Sequence, residues 1–243
     1  MEDDGHASIA HSEYRLLIRM SKLICPCSTN RHHFYLVVAD ITPSQFIFIN
    51  GRWKLNDFNR CRFMRVRKED GAPCGFYVGA NPGKVSWCTI SALSLSLSLS
   101  LSRSHCQFFR VITNVLPSQL NVNQFRAPEE YAFAIENEMV DIYSMGNIFY
   151  SILSGIMPFE GQKESKAKKK VLDGIRPKIP DEIKESKDIA IQTLISVTKK
   201  CWSKKPKSRP SAASVRDELK ELMDQMMMNT TATTKRGERG VTT

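Results

Sequence analysis

Toward the C-terminal end of the chain, apolar residues recur at the spacing of a buried helix face, whereas nearer the start they gather in short β-prone runs. From Asp141, the positions Ile142, Met145, Phe149, Ile152 and Leu153 share one face, with Asp141 as N-cap and Gly155 and Pro158 as the stop. This pattern predicts a buried helix. A second helix is predicted from about Ile189, where Ile191, Leu194, Ile195 and Thr198 lead to Cys201-Trp202. A third begins near Ser211 and carries Val215, Leu219, Leu222, Met223 and Met226, before a polar tail that frays from Asn229. Leu16, Leu17, Met20 and Leu23 predict one more amphipathic helix over residues 13–23, lost at Cys25-Pro26-Cys27.

The β-prone part is short and specific. Phe46-Ile47-Phe48-Ile49 and Arg52-Trp53-Lys54-Leu55 are joined by Asn50-Gly51, the pair that suits a type I′ turn because both central residues need positive φ. A hairpin brings its two ends together, so Asp40 before the first strand and Asp57 after the second are predicted to flank one small volume. Two carboxylates there suit a metal-bound phosphate; equally, Asp at such borders serves as a turn cap. Residues 68–84 are rich in Gly and Pro and read as loop, including Gly79-Ala80-Asn81-Pro82-Gly83-Lys84, which is a turn rather than a phosphate loop.

Residues 85–124 differ from their surroundings, with Ser-Leu alternation from Ser94 to Ser102 and almost no charge. A two-letter repeat carries little packing information, and an edge strand is the plainest form it can take. The segment reads as an insertion of translated intron or an equivalent unselected sequence.

Composition narrows the function classes. At 42% hydrophobic over 243 residues the chain has enough apolar material for one sizeable core. Its net charge of +10 resides in lysines at 163–170 and 199–207, amid helical patterns, which describes a solvated basic face more than a nucleic-acid surface with interleaved aromatics. Seven scattered cysteines argue against a disulfide framework and for a reducing compartment. Cys25, Cys27, His32 and His33 match no closed four-ligand zinc spacing and read as loop residues. No apolar run reaches bilayer length and the acidic start Met1-Glu2-Asp3-Asp4 lacks a basic leader, so a cytoplasmic protein without a membrane segment is expected.

Five motifs, in order, resemble the C-terminal lobe of a eukaryotic protein kinase of the serine/threonine/tyrosine type. Asp40-Ile41-Thr42-Pro43-Ser44-Gln45 is similar to the catalytic loop, and Asp57-Phe58-Asn59 to the metal-binding element. Phe125-Arg126-Ala127-Pro128-Glu129-Glu130 resembles the end of the activation segment, Asp141-Ile142-Tyr143-Ser144-Met145-Gly146 the start of the central helix, and Cys201-Trp202 to Arg209-Pro210 the late loop. The resemblance implies a mainly α (α+β) fold: a kinase-like C-lobe with a small β-hairpin at the catalytic loop and no N-lobe. It implies three parts: an irregular segment 1–35 with one helix, a partial kinase domain 36–225 interrupted by 85–124, and a disordered basic tail 226–243. Asp40 is then the catalytic base, while Asp57 and Gln45 are metal ligands, with ATP and Mg as cofactors. Asp141 accepts hydrogen bonds from the catalytic-loop backbone, and Glu129 with Arg209 forms a structural ion pair. The partner is a protein substrate or another protein.

The departures from the motif set matter as much. Val38 and Ala39 stand where the loop usually has His and Arg, Thr42 replaces the phosphate-contacting Lys, and Asn59 replaces the metal element's Gly. Loss of one transition-state donor of this kind costs about 10²–10³ in rate. Only 39 residues precede Asp40, without a glycine-rich phosphate cover or a Val-Ala-Ile-Lys strand. Seventy-two positions separate Asp57 from Glu129, and removing the 40 residues 85–124 leaves 32, a length that suits an activation segment. Two readings follow: a protein kinase domain incomplete in this chain, or a catalytically impaired, pseudokinase-like interaction module. A basic nucleic-acid binder is a third, weaker one.

Overall fold

The computed structural model describes residues 28–29, 32–33, 35–49, 52–55, 58, 60–70, 74–77 and 122–237. The expected helix at 13–23, the Cys25-Pro26-Cys27 loop, the Asn50-Gly51 turn, Asp57 and the Ser-Leu repeat lie outside them. Among the described residues the architecture is mainly helical, with four small two-stranded antiparallel ladders.

Helix-forming sequence and burial coincide in the second half of the chain. Pro128–Tyr131 (α1) is a single turn that opens with proline at its first position, where the missing N–H costs nothing. Met139–Ser154 (α2) is buried without interruption from Val140 to Leu153 and ends at Gly155, whose φ of 71° is the left-handed stop that glycine tolerates. A helix buried on every side belongs in the middle of a fold. Ile189–Cys201 (α5 in chain order) packs along it, presenting Ile191, Leu194, Ile195, Val197 and Cys201. Between them come Glu164–Asp173 (α3), which buries Ala167 and Val171, and the single turn Asp181–Lys184 (α4). Ala212–Gly237 (α6) closes the order and buries Val215, Leu219 and Leu222.

One glycine fixes how closely α2 and α5 approach. A Cβ on Gly146 would lie 2.9 Å from Cys201 Cβ and 2.8 Å from Trp202 Cδ1, so the helices touch backbone to side chain there. Beside it Trp202 Nε1 donates to Asn147 Oδ1 at 2.9 Å, giving the buried indole N–H the partner it needs.

The strands are short. Ser28–Thr29 (β1) pairs with His32–His33 (β2), and Tyr35–Val37 (β3) with Arg62–Met64 (β6). Phe46–Ile49 (β4) pairs with Arg52–Leu55 (β5) in the register Phe46↔Leu55 to Ile49↔Arg52, which leaves a two-residue connection. Phe76–Tyr77 (β7) pairs with Ile135–Glu136 (β8).

Four expectations need correction. The central helix starts at Met139, so Asp141 sits inside its first turn and is not the N-cap; Asn137 Oδ1 instead accepts from Met139 N at 3.0 Å. Residues 68–84 are not all loop, because β7 is supplied by pairing with a segment far away in sequence, too short to show alternation. The proposed insertion 85–124 does not stay outside the fold at its C-terminal end: Val122–Phe125 forms a 3-10 turn in which Gln124 and Phe125 are buried. The tail 226–243 is not irregular throughout, since α6 continues to Gly237. Between Asn229 and Gly237 there is no proline or glycine to stop a helix already nucleated by its packed first half.

Candidate active site

The loop that begins at Val38 is held by one buried carboxylate. Asp141 is 1% exposed, and its Oδ2 accepts from Val38 N at 2.7 Å while Oδ1 accepts from Ala39 N at 2.8 Å. Ala39 has a φ of 55°, a left-handed conformation that costs a non-glycine residue roughly 1–2 kcal/mol. Two charge-assisted bonds to consecutive amides repay that cost and fix the direction in which the chain leaves Ala39. Burial pushes the Asp141 carboxyl up to about 7, against the lowering effect of those two amides.

The next residue is Asp40. Its side chain is 24% exposed, with Gln45 Nε2 at 3.4 Å from Oδ2 and Arg60 Nη1 at 3.9 Å from Oδ1. The structure therefore brings Asp40, Gln45 and Arg60 together at the edge of the core, with Val38, Ala39 and Ile41 buried behind them. Thr42, at the position of the usual lysine, is 2% exposed and faces inward. Arg60 was not singled out by the motif reading, because nothing in its spacing ties it to the loop; it arrives through β6, which pairs with β3.

Glu129 and Arg209 are also together. Arg209 Nη1 and Nη2 reach Glu129 Oε1 and Oε2 at 2.5 and 2.8 Å, a two-pronged pair with both side chains buried. The same guanidinium donates to the carbonyls of Met139 at 2.7 Å and Ser203 at 2.9 Å and lies 5.0 Å from the centre of the Tyr143 ring. One side chain thus joins α1, the start of α2 and the loop after α5.

Two further residues carry roles that the motif reading did not give them. Ser144 Oγ and Asn147 Nδ2 both donate to Phe125 O, at 3.0 and 3.1 Å, which anchors the segment leading to Glu129 on the central helix. The signal was present as two polar residues three apart inside an apolar stretch. Glu130 accepts from Ala127 N at 2.6 Å across the start of α1, and burial pushes its carboxyl up to about 8.

Protein kinases as a family use ATP with magnesium, and the fit of that ion can be tested on the donor set. Asp40 and Gln45 supply hard oxygen ligands, as magnesium requires. Among the described residues, however, no three acidic, histidine or cysteine side chains converge, and Arg60 stands beside Asp40. These residues do not make a metal site by themselves. Asp57, the expected metal carboxylate, lies outside the described residues.

A lobe built on a buried central helix, a loop pinned by that helix's first-turn aspartate and a buried Glu–Arg tie is the arrangement of a protein kinase C-lobe. Residues 110–219, a little under half of the chain, match the family model described as the protein kinase domain. The match begins inside the proposed insertion and does not reach Asp40, Gln45 or Asp57. Over 100 residues the chain is 34% identical to the dual specificity protein kinase pyk3 of Dictyostelium discoideum, covering 41% of this chain and 7% of that protein. It is 32% identical over 97 residues to the leucine-rich repeat serine/threonine-protein kinase 1 of Mus musculus, covering 40% and 5%. A light-sensor protein kinase of Ceratodon purpureus is 36% identical over 83 residues, covering 34% and 6%. The chain therefore spans only a small part of the length of these relatives. No described helix is long and apolar enough to cross a membrane.

Proposed function

We propose that the chain acts in ATP-dependent phosphoryl transfer to a hydroxyl group of a protein substrate, with Asp40 as the base that takes the hydroxyl proton. The observation that carries this reading is the Asp141 carboxylate on Val38 N and Ala39 N, which holds the backbone immediately before Asp40 in a single, otherwise unfavoured conformation. A base must be placed before its basicity matters, and positioning is most of what a protein contributes to this chemistry. Gln45, 3.4 Å from Asp40 through its amide nitrogen, orients the carboxylate and keeps its own amide oxygen as an acceptor.

The catalytic output of this polypeptide alone is weak on this reading. Thr42 is buried and neutral where a cation would meet the transferring group, and Ala39 offers no guanidinium to a phosphorylated activation segment. The second reading, an interaction module without transfer, is favoured by Arg60, whose Nη1 lies 3.9 Å from Asp40 Oδ1 and competes with a substrate hydroxyl for that carboxylate.

Transfer from radiolabelled ATP to a generic protein substrate, compared between the chain and Asp40→Asn, separates the two. Loss of about 10²–10⁴ in rate, the usual contribution of a positioned base, supports catalysis. Equal, background-level incorporation by both proteins supports the interaction module.

A further inference from the structure

A cavity of about 290 Å³ opens between the C-terminal end of α3, α4 and the end of α5, well away in sequence from the Asp40 loop. Its floor is apolar, formed by Pro177, Ile179 and Trp202, all buried. Its walls carry Arg176, Lys178, Lys184, Lys199 and Lys204, and no acidic side chain lines it.

The cations are not equivalent. Lys178 and Lys184 share Asp181, at 2.6 and 3.1 Å, so one carboxylate offsets two charges at the outer edge. Lys199 and Lys204 are exposed, and their ammonium groups have no hydrogen-bonding or ion-pair partner among the described residues. Arg176 is locked in place by the carbonyls it serves: its Nε donates to Trp202 O at 2.9 Å and its Nη1 to Val171 O and Ile175 O at 3.2 and 3.1 Å. That set leaves Nη2 uncommitted. A guanidinium fixed by three backbone acceptors has already lost its rotamer freedom, so binding an anion there costs little further ordering.

We propose that this cavity is a binding site for a phosphomonoester carried on a segment of a partner protein. The charge argument selects phosphate over carboxylate. Five lining cations, two of them sharing Asp181, with no acid in the lining leave an excess that a single carboxylate does not neutralise, whereas a phosphomonoester brings about −1.5 to −2 charges and three acceptor oxygens. The volume equals roughly ten waters at about 30 Å³ each and sits near the lower end of ligand pockets, enough for one side chain. The apolar floor receives the stem or ring of that side chain while Arg176, Lys199 and Lys204 meet the phosphate. This site does not depend on the Asp40 reading and persists if the chain has no transferase activity.

The test is fluorescence anisotropy on the full chain, with a labelled alanine-rich peptide carrying one phosphotyrosine, its unphosphorylated twin and a labelled single-stranded oligothymidylate. The phosphopeptide is expected to bind at least tenfold more tightly than its twin, with affinity falling as salt rises. Lys199→Glu with Lys204→Glu should abolish that preference, while Lys166→Glu with Lys220→Glu, an equal charge change on exposed positions elsewhere, should leave it intact. Equal binding of both peptides, indifference to the Lys199/Lys204 reversal, or tighter binding of oligothymidylate lost by that same reversal overturns the proposal. Unchanged circular dichroism and Tm in both double variants ties any lost preference to the site.

Discussion

Replacing Arg209 by Met tests the tie on which the placement of α1 rests. The side chain is fully buried and Glu129 is 7% exposed, so the substitution strands a carboxylate away from water. It also removes the donors that serve Met139 O and Ser203 O. Breaking a buried pair from one side costs about 3–5 kcal/mol. For a domain of this size each 1 kcal/mol moves Tm by about 2–4 °C, so the loss should be about 6–20 °C. Glu129→Leu alone strands the guanidinium and should cost a similar amount, but the two carbonyls keep their donors. The double variant removes both charges, so it should cost well below the sum of the single changes, leaving a penalty of about 1–3 kcal/mol for each orphaned carbonyl. Urea denaturation of the four proteins reads the coupling. Additive single effects below about 1 kcal/mol would refute the reasoning, because a desolvated pair cannot be silent when one partner is removed.

The large features were legible because each has a local physical signature. Gly155 and the apolar run before it announced the central helix, and the two β-prone runs announced the strands β4 and β5, which pair from Phe46↔Leu55 to Ile49↔Arg52. Glu129 and Arg209, 80 residues apart, were linked only through motif resemblance; no spacing rule connects them. Helix starts were read less well. Asp141 carries the residue type of an N-cap, yet long-range demand from Val38 N and Ala39 N outcompetes local capping, and the N-cap lies three residues earlier, at Glu138. Arg60 beside Asp40 was invisible for the same reason, since strand pairing of β3 with β6 brings it there and neither strand is long enough to show a period. The basic cavity lay hidden in what composition presents as an ordinary lysine-rich surface, because Arg176 and Trp202 come from segments that meet only in three dimensions.

The close approach at Gly146 gives a sharp expectation: Gly146→Ala gains up to about 1 kcal/mol of helix propensity but overpacks Cys201 and Trp202, which costs about 1–3 kcal/mol. Thermal denaturation should show net destabilisation, with altered tryptophan fluorescence as the Trp202–Asn147 hydrogen bond is displaced; a raised Tm would mean the helices are not in contact there. The dependence on pH follows from Asp141 and Glu130, whose carboxyls burial lifts from 3.8 to about 7 and from 4.5 to about 8. In the unfolded chain both groups release their protons near pH 4, whereas the folded chain retains them to pH 7–8, so folding takes up protons across that window. Their contribution is complete below the unfolded values and is lost as pH rises through the folded ones. The urea midpoint should therefore fall from pH 5.5 to pH 8.5, and Glu130→Gln should flatten the upper part of the slope. A midpoint that rises over this range would show that hydrogen bonding to the ionised carboxylates outweighs their desolvation, reversing the assignment.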